Sequence, residues 1–527
     1  MSKSRDIADS AATINYIDTV TSNVQDQIDN LDPLPSQTGN AGNFLTTDGT
    51  NASWGVPAGG NQVDFVASGT IGDGSTVILN NDGTVSVVAG VDTSVGTPVL
   101  FESGEANDIS ATFDSAAGKV VIAYKDDNNS SYGTAIVGTV SGSSISFGTA
   151  VVFNSGRTHN TASTFDSAAG KVVIAYRDFG NANYGTAIVG TVSGTSISFG
   201  TEVVFNSTGL TYTYSALFDI VAGKVVVSYA DGGNSNYGTS IVGTVSGTSI
   251  SFGTAIVFES ASALGLSATF DSTLNKIVIA YPDGGNSSYG TSIVGTVSGT
   301  SISFGTAVVF NSAATYYPAA TFDSASGKVV IAYQDNGNSN YGTAIVGTVS
   351  GTSISFGAEV VFESANTYYL AATFDSNAGK VVIVYQDNGG SLDYGTLVVG
   401  TVSGTSISFD SPVIFESAAA MTFATTFDST LNKVVIAYKD LGNLEYGTSV
   451  VFTNTTTNNT SFIGISDAAI SDTATGSVTI KGGISTNVTG LTPNTDYYVQ
   501  TDGSLSATVS TVPAGKALSA TSILLKG

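Results

Sequence analysis

A unit of 52 or 53 residues that recurs seven times, four strand-like segments inside each unit, and a composition rich in Gly, Tyr, Phe and β-branched residues predict an all-β chain built around a seven-bladed β-propeller. The repeat is marked by a Phe-Asp pair at Phe113, Phe165, Phe218, Phe270, Phe322, Phe374 and Phe427. The segment FDSAAGKVVIAY is identical at 113–124 and 165–176, as expected where two copies do the same packing job.

Within one unit, ISATFDS, KVVIAYKD, YGTAIVGTVSG and SISFGTAVVF read as strands, separated by the turn-forming AAG, DNNS and SGS. KVVIAY is apolar on both faces, which suits a strand covered by neighbouring blades. The seventh unit ends near Asn454 without its SISFGTAVVF segment, and a matching orphan, VGTPVLFES at 95–103, precedes the first unit. An open solenoid has no need of a piece returned from the other end. A ring does, so residues 95–454 are expected to close by strand exchange, leaving no exposed sheet edge.

The recurrent Asp of FDSAAGK (Asp114, Asp166, Asp219 and their counterparts) is expected to bond the backbone of its hairpin turn. A ring of catalytic groups is the alternative. The polar connectors after Tyr-x-Asp, such as DDNNSSYG and DGGNSNYG, carry oxygens that suit Ca²⁺ but lack the ligand order of an EF-hand, so turn chemistry is again the expectation. No cofactor or metal is expected.

The copies differ mainly in the connector ahead of each Phe-Asp pair. Six residues before the pair stand Asn107, His159, Tyr212, Leu264, Tyr316, Tyr368 and Met421. The next position adds Tyr317 and Tyr369, the one after adds Tyr214 and Phe423, and Arg157 lies close by. Equivalent positions of a propeller form a ring on one face, and Tyr offers rigid amphipathic contact area. The set His159, Tyr212, Tyr214, Tyr316, Tyr317, Tyr368, Tyr369, Met421, Phe423 and Arg157 is therefore the candidate receptor-binding surface. The competing reading is drift in loops that tolerate change.

Ahead of the repeats, Ile7, Ile14 and Ile28 share one heptad position, and Ile17, Val24 and Leu31 the other. Ile at both core positions favours a homotrimeric helix, ended by the prolines of DPLPSQ. The expected organisation is a trimerising helix at 1–34, a neck β module at 35–94, the propeller at 95–454 and a C-terminal β module at 455–527.

The formal charge of −25 and the lack of a Lys/Arg cluster argue against nucleic acid and anionic membranes as partners. The chain has no cysteine, so neither disulfides nor thiolate metal sites form. No segment has the apolar length of a membrane span, and the start lacks a secretory signal, so synthesis in the cytoplasm without membrane insertion is expected.

The segments SKSRDIADSAATINYIDTVTSNVQ, GNAGNFLTTDGTNASWG, VDFVASGTIGDGSTVILNNDGTVSVVAG and, near the other end, FIGISDAAISDTATGSVTIKGGIS and DYYVQTDGSLSATVSTVPAGKALSATSILLKG resemble parts of tail-fibre and related virion appendage proteins of tailed bacteriophages, especially those of marine and cyanobacterial hosts. The resemblance implies a homotrimer whose N-terminus docks on tail, baseplate or adaptor proteins and whose distal part meets a glycan or protein of the host surface. It implies no catalytic residue. A head fibre or neck decoration protein without a receptor role is the alternative. A propeller glycan hydrolase is a third reading, disfavoured because the recurrent Glu102, Glu259, Glu363 and Glu416 fall in different blades and the repeats hold Arg157 and Arg177 as their only arginines.

Overall fold

The computed structural model describes residues 61–80, 82–88, 92–390, 393–455, 459–500 and 503–526, with the strand pair Phe44–Thr47 and Ala52–Gly55. The trimerisation residues Ile7, Ile14, Ile17, Val24, Ile28 and Leu31 lie outside the described residues. The described chain is all-β, with short 3₁₀ turns and no α-helix among the described residues. It divides into two compact units: Asp92–Thr456, and a second that joins the segments on either side.

Asp92–Thr456 contains seven antiparallel sheets that share one plan. In the first, Ala106–Asp114 pairs with Lys119–Asp126, which pairs with Tyr132–Ser141, whose far side takes Ser144–Phe147 and then Val151–Arg157. The central strand is buried along nearly its whole length, as its unbroken apolar run predicts. The Asp114 carboxylate accepts bonds from the Ala116 and Ala117 amides at 3.0 and 2.9 Å, so the repeated Asp is a turn residue. The next connector is a 3₁₀ turn capped by Asp126, which accepts from the Asn129 amide at 3.0 Å. The first Asp of DDNNSSYG is thus a turn residue.

The variable connector is not a loop. In five places it is the middle of a single 16-residue strand, such as Val99–Asp114 or Val308–Asp323, whose first half closes one sheet and whose second half opens the next. The strand is interrupted only around 207–210 and 263–266, where STGL and ALGL bring glycine.

Each opening strand touches the opening strand of the next sheet, and that of the seventh sheet touches that of the first. The apolar clusters lie between sheets: Val121 and Ala123 of the first pack with Val172 and Ile174 of the second, and Ile122 packs with Val435 and Ala437 of the seventh. Asp92–Val95 and Val99–Glu105 pair with Tyr446–Thr455, which supplies the strands the seventh repeat lacks. The boundaries are thus 92 and 456 rather than 95 and 454.

A Glu or Asn in the segment that closes one sheet ties it to the next. Glu102, Glu259, Glu363 and Glu416 accept bonds from Tyr124, Tyr281, Tyr385 and Tyr438 at 2.9 to 3.2 Å. Where Asn replaces Glu, Asn154, Asn206 and Asn311 instead bond Asp178, Asp231 and Asp335. In two of those three sheets another acid, Glu202 or Glu359, stands beside the tyrosine hydroxyl (Tyr176 or Tyr333).

The second unit corrects the expected split into a neck module at 35–94 and a C-terminal module at 455–527. Gln62–Val66 pairs with Thr475–Ile480, and Thr76–Leu79 pairs with Phe462–Ser466, so both segments build one five-stranded sheet. A further five-stranded sheet comes from 484–525. Val88 joins Phe462, Ile465 and Ile523 in one core, which explains why neither segment looks like a complete hydrophobic unit alone.

Candidate ligand-binding site

The opening strands do not run straight. Between Asn107 and Ser110 the pairing with the neighbouring strand slips, and the same slip recurs at 159–162, 316–319, 368–371 and 421–424. At each bulge the fifth residue before the Phe-Asp pair takes a left-handed backbone: Asp108, Asn160, Tyr317, Tyr369 and Thr422 have φ between 49° and 57°. Gly265 holds the equivalent place with φ of 83°. In the third repeat the slip falls at Thr213–Ser215 and leaves Tyr214 as the extra residue.

Asp, Asn and Gly enter this conformation readily, whereas Tyr and Thr do so at a cost of about 1–2 kcal/mol each. Bulges re-aim side chains and concentrate beside functional sites. Here they turn residues from all seven repeats toward one central cavity of about 570 Å³. Below it a narrower cavity of about 320 Å³ continues between the opening strands, lined mainly by small residues such as Ser110, Ser163, Ser267 and Ala320.

The upper cavity has two sides. Tyr317, Tyr369, Phe423 and Tyr214 give it an aromatic crescent, joined by Leu370, and Asn107, Asp108, Lys125 and Asn160 give it a polar sector. Tyr317 packs on Tyr369 with ring centroids 5.3 Å apart and meets Tyr368 edge-on at 6.1 Å. Burial pushes the Tyr214 hydroxyl up to about 12, with the Gly265 backbone pulling the other way.

The polar sector is cross-linked. Asn107 donates to Glu105 at 2.8 Å and to Asp127 at 2.6 Å; Asp127 pairs with Lys125 at 2.9 Å, and Glu105 with Lys439 at 2.9 Å. Lys439 also pairs with Glu445. The Lys439 bond holds the Glu105 carboxyl below its usual range. Burial opposes the charge on Lys439, but Glu445 and Glu105 together hold its ammonium above the usual value. His159 Nδ1 lies 3.2 Å from Asp108.

Of the residues singled out from the sequence, Tyr214, Tyr317, Tyr369 and Phe423 line the cavity. Tyr368 supports Tyr317, His159 holds Asp108, and Tyr212 stacks on Tyr214 with centroids 6.4 Å apart. Tyr316 faces solvent with 43% of its surface exposed, and Arg157 is exposed outside the cavity lining. Met421 is half-buried and pairs across strands with Lys439.

Sequence reading overlooked the middle residue of Tyr-x-Asp. It pairs across strands with the sixth residue before the Phe-Asp pair of its own sheet, giving Lys125 opposite Asn107, Arg177 opposite His159, Gln334 opposite Tyr316 and Gln386 opposite Tyr368. The signal was present: Lys125, Arg177, Ala230, Pro282, Gln334, Gln386 and Lys439 form the most variable place in an otherwise constant strand.

No family model and no curated protein matches the chain. Among solved structures it is similar to the BP39L lectin from Burkholderia pseudomallei, with 11% identity over 64% of this chain and 94% of that one and a TM-score of 0.47. It is also similar to AofleA from Arthrobotrys oligospora, with 10% identity over 64% and 96% of the two chains and a TM-score of 0.38, and to the Hadza microbial sialidase Hz136, with 10% identity over 71% and 69% and a TM-score of 0.38. At these distances the likenesses do not bear on what this chain binds.

Proposed function

We propose that Asp92–Thr456 is a seven-bladed β-propeller closed by strand exchange, and that the bulged mouth of its central cavity is the receptor site of a bacteriophage tail fibre that recognises a cell-surface glycan. The observation that carries the binding reading is the two-sided cavity, with Tyr214, Tyr317, Tyr369 and Phe423 facing Asn107, Asp108, Lys125 and Asn160. A sugar ring presents an apolar face and a polar edge, and this pairing of aromatic surface with convergent polar groups suits both. The left-handed Tyr317 and Tyr369 support it further, because strained backbone positions cluster where side-chain direction matters.

The fibre part of the reading rests on the resemblance of the flanking segments and the heptads at 1–34. A homotrimer places three mouths on one appendage, so modest affinity at each gives firm attachment. Binding rather than catalysis is proposed, since the recurrent glutamates each hold a tyrosine of the following sheet, at four separate sheet junctions, instead of meeting at one cleft.

The test is adsorption of the labelled full chain to host cells, beside a folded Tyr317→Ala/Tyr369→Ala variant. Loss of adsorption in the variant supports the mouth as the receptor site. Unchanged adsorption refutes it, and a native chain that fails to adsorb favours a head or neck decoration role. Deletion of 1–31 is expected to convert trimers to monomers in sedimentation.

A further inference from the structure

One repeat departs from the others in a way that gathers in space. Arg157, His159, Arg177 and Phe179 all belong to the second repeat, and no other repeat has an arginine, a histidine or an aromatic residue directly after Tyr-x-Asp. His159 and Arg177 are cross-strand partners. The Arg157 guanidinium lies 5.1 Å from the centre of the Phe179 ring, and that ring meets His159 edge-on at 6.3 Å. Arg177 lies over Tyr212 of the next repeat at 5.2 Å.

The charges around this cluster are unevenly matched. Asp127 is paired with Lys125 and Glu105 with Lys439, while Asp108 lies 3.2 Å from His159 Nδ1. Among the described residues neither arginine has a carboxylate within ion-pair distance, and Arg177 Nε is buried without a hydrogen-bond partner. Seven lysines of the ring, from Lys119 to Lys433, follow the hairpin turns at the other end of the strands. The cations that do not, Lys125, Lys439, Arg157 and Arg177, all stand at the mouth end. With both lysines paired, the two guanidiniums are the cations left over. Burial makes the charge on Arg177 harder to keep, with Asp108 opposing and the nearby charge of Arg157 adding to it.

Two like charges near one another, stacked on rings and with no carboxylate in direct contact, are an arrangement that a bound oxyanion would relieve. Stacking fixes the guanidinium plane and leaves its N–H edge free for a two-pronged bond to a carboxylate or sulfate. We propose that this sector is an oxyanion subsite, and that the ligand of the mouth is an acidic saccharide whose carboxylate or sulfate ester is held by Arg177 and Arg157. This rests on the saccharide reading of the cavity. Asp108 and Tyr214, both within electrostatic reach of Arg177, line that cavity and connect the subsite to it.

The chain contains three arginines, Arg5, Arg157 and Arg177, so the full-length protein labelled with [¹⁵N]arginine gives three Nε–H signals, assignable with Arg157→Lys and Arg177→Lys. The probes are inorganic sulfate, a galacturonate hexasaccharide with its neutral methyl ester, and dextran sulfate oligosaccharides with unsulfated dextran. The Arg177 signal is expected to shift saturably with sulfate and with at least one acidic saccharide. That saccharide is expected to bind about 10-fold or more tightly than its neutral mate, the worth of one charge-assisted bond. Arg177→Gln should remove most of that preference, and Tyr369→Ala should weaken both mates alike.

Equal binding of an acidic saccharide and its neutral mate overturns the subsite and leaves the glycan reading standing. So does a preference that survives Arg157→Gln/Arg177→Gln. A saturable sulfate response with no saccharide bound keeps the oxyanion subsite and overturns the saccharide ligand. An Arg177 signal that responds to no probe overturns the proposal outright.

Discussion

The packing of successive sheets makes a sharp demand at one position. The short outer strand of the first five repeats ends in Phe-Gly, and the glycine sits against the hairpin of the following sheet. A Cβ built on Gly305 would lie 1.8 Å from the Thr352 carbonyl oxygen, and those on Gly148, Gly200, Gly253 and Gly357 would meet the carbonyl oxygens of Thr195, Thr248, Thr300 and Thr405 at the same 1.8 Å. A carbon needs about 3.3 Å from a carbonyl oxygen, so Gly305→Ala must open the two sheets by roughly 1.5 Å. Because the obstacle is backbone, the expected cost is about 3 kcal/mol, the upper end for overpacking.

The sixth repeat breaks the rule with Asp410, which makes the same backbone bond, to Val399 at 2.9 Å, that Gly305 makes to Val294. Asp410 is exposed. The seventh repeat lacks the hairpin that would crowd it, so Asp410→Ala should change stability by less than about 0.5 kcal/mol. Gly96, in the N-terminal segment, would meet Ser143 of the first sheet at 1.7 Å, so Gly96→Ala tests closure itself. Urea unfolding followed by far-UV circular dichroism reads the three variants as midpoint shifts at constant slope. If Gly305→Ala is as mild as Asp410→Ala, the sheets do not pack this closely. If Gly96→Ala is neutral while Gly305→Ala is costly, the N-terminal segment does not complete the seventh sheet.

Thr422→Asn should stabilise the protein by up to about 1 kcal/mol in the same assay, because Asn accepts the left-handed backbone that a β-branched residue resists; destabilisation would count against the bulge. Tyr438→Phe removes the hydroxyl that Glu416 accepts from at 3.0 Å and should cost about 1.5–3 kcal/mol, whereas Tyr229→Phe, in the sheet where Asn206 replaces the glutamate, should cost clearly less. Equal losses would show that the carboxylate does not hold the ring. Glu105 is held below its ordinary 4.5 by Lys439, so its contribution to stability is present above that pH and fades as pH falls through the lowered value. Thermal unfolding from pH 7 to 3 should therefore show a smaller acid loss in Lys439→Met than in the native chain, and parallel curves would refute the coupling.

The site was only half legible. Intra-chain comparison pointed to Tyr214, Tyr317, Tyr369 and Phe423, because the constant scaffold made the variable positions stand out. It did not separate them from Tyr316 and Arg157, which stand one place before Tyr317 and eight before Phe165 yet lie outside the cavity lining. The difference is a bulge, and a slipped pairing reverses which residues face inward without leaving a mark that alternation alone reveals. Lys125 was missed, and Arg177 was weighed only against a hydrolase, because both interrupt apolar strands whose role looked purely structural.

The sequence by itself determined the all-β class, the repeat and its seven markers, the turn role of its aspartates and the need for a strand returned from the N-terminal side, since these follow from local periodicity and from comparing copies within one chain. Tertiary structure decided the rest. Only the fold shows that the variable connectors are strands shared by two sheets, that segments 61–88 and 459–526 form one unit, and that side chains from seven repeats meet in one cavity. The physical reason is the same in each case: pairing partners far apart in the chain, not the residues beside them, set where these groups point.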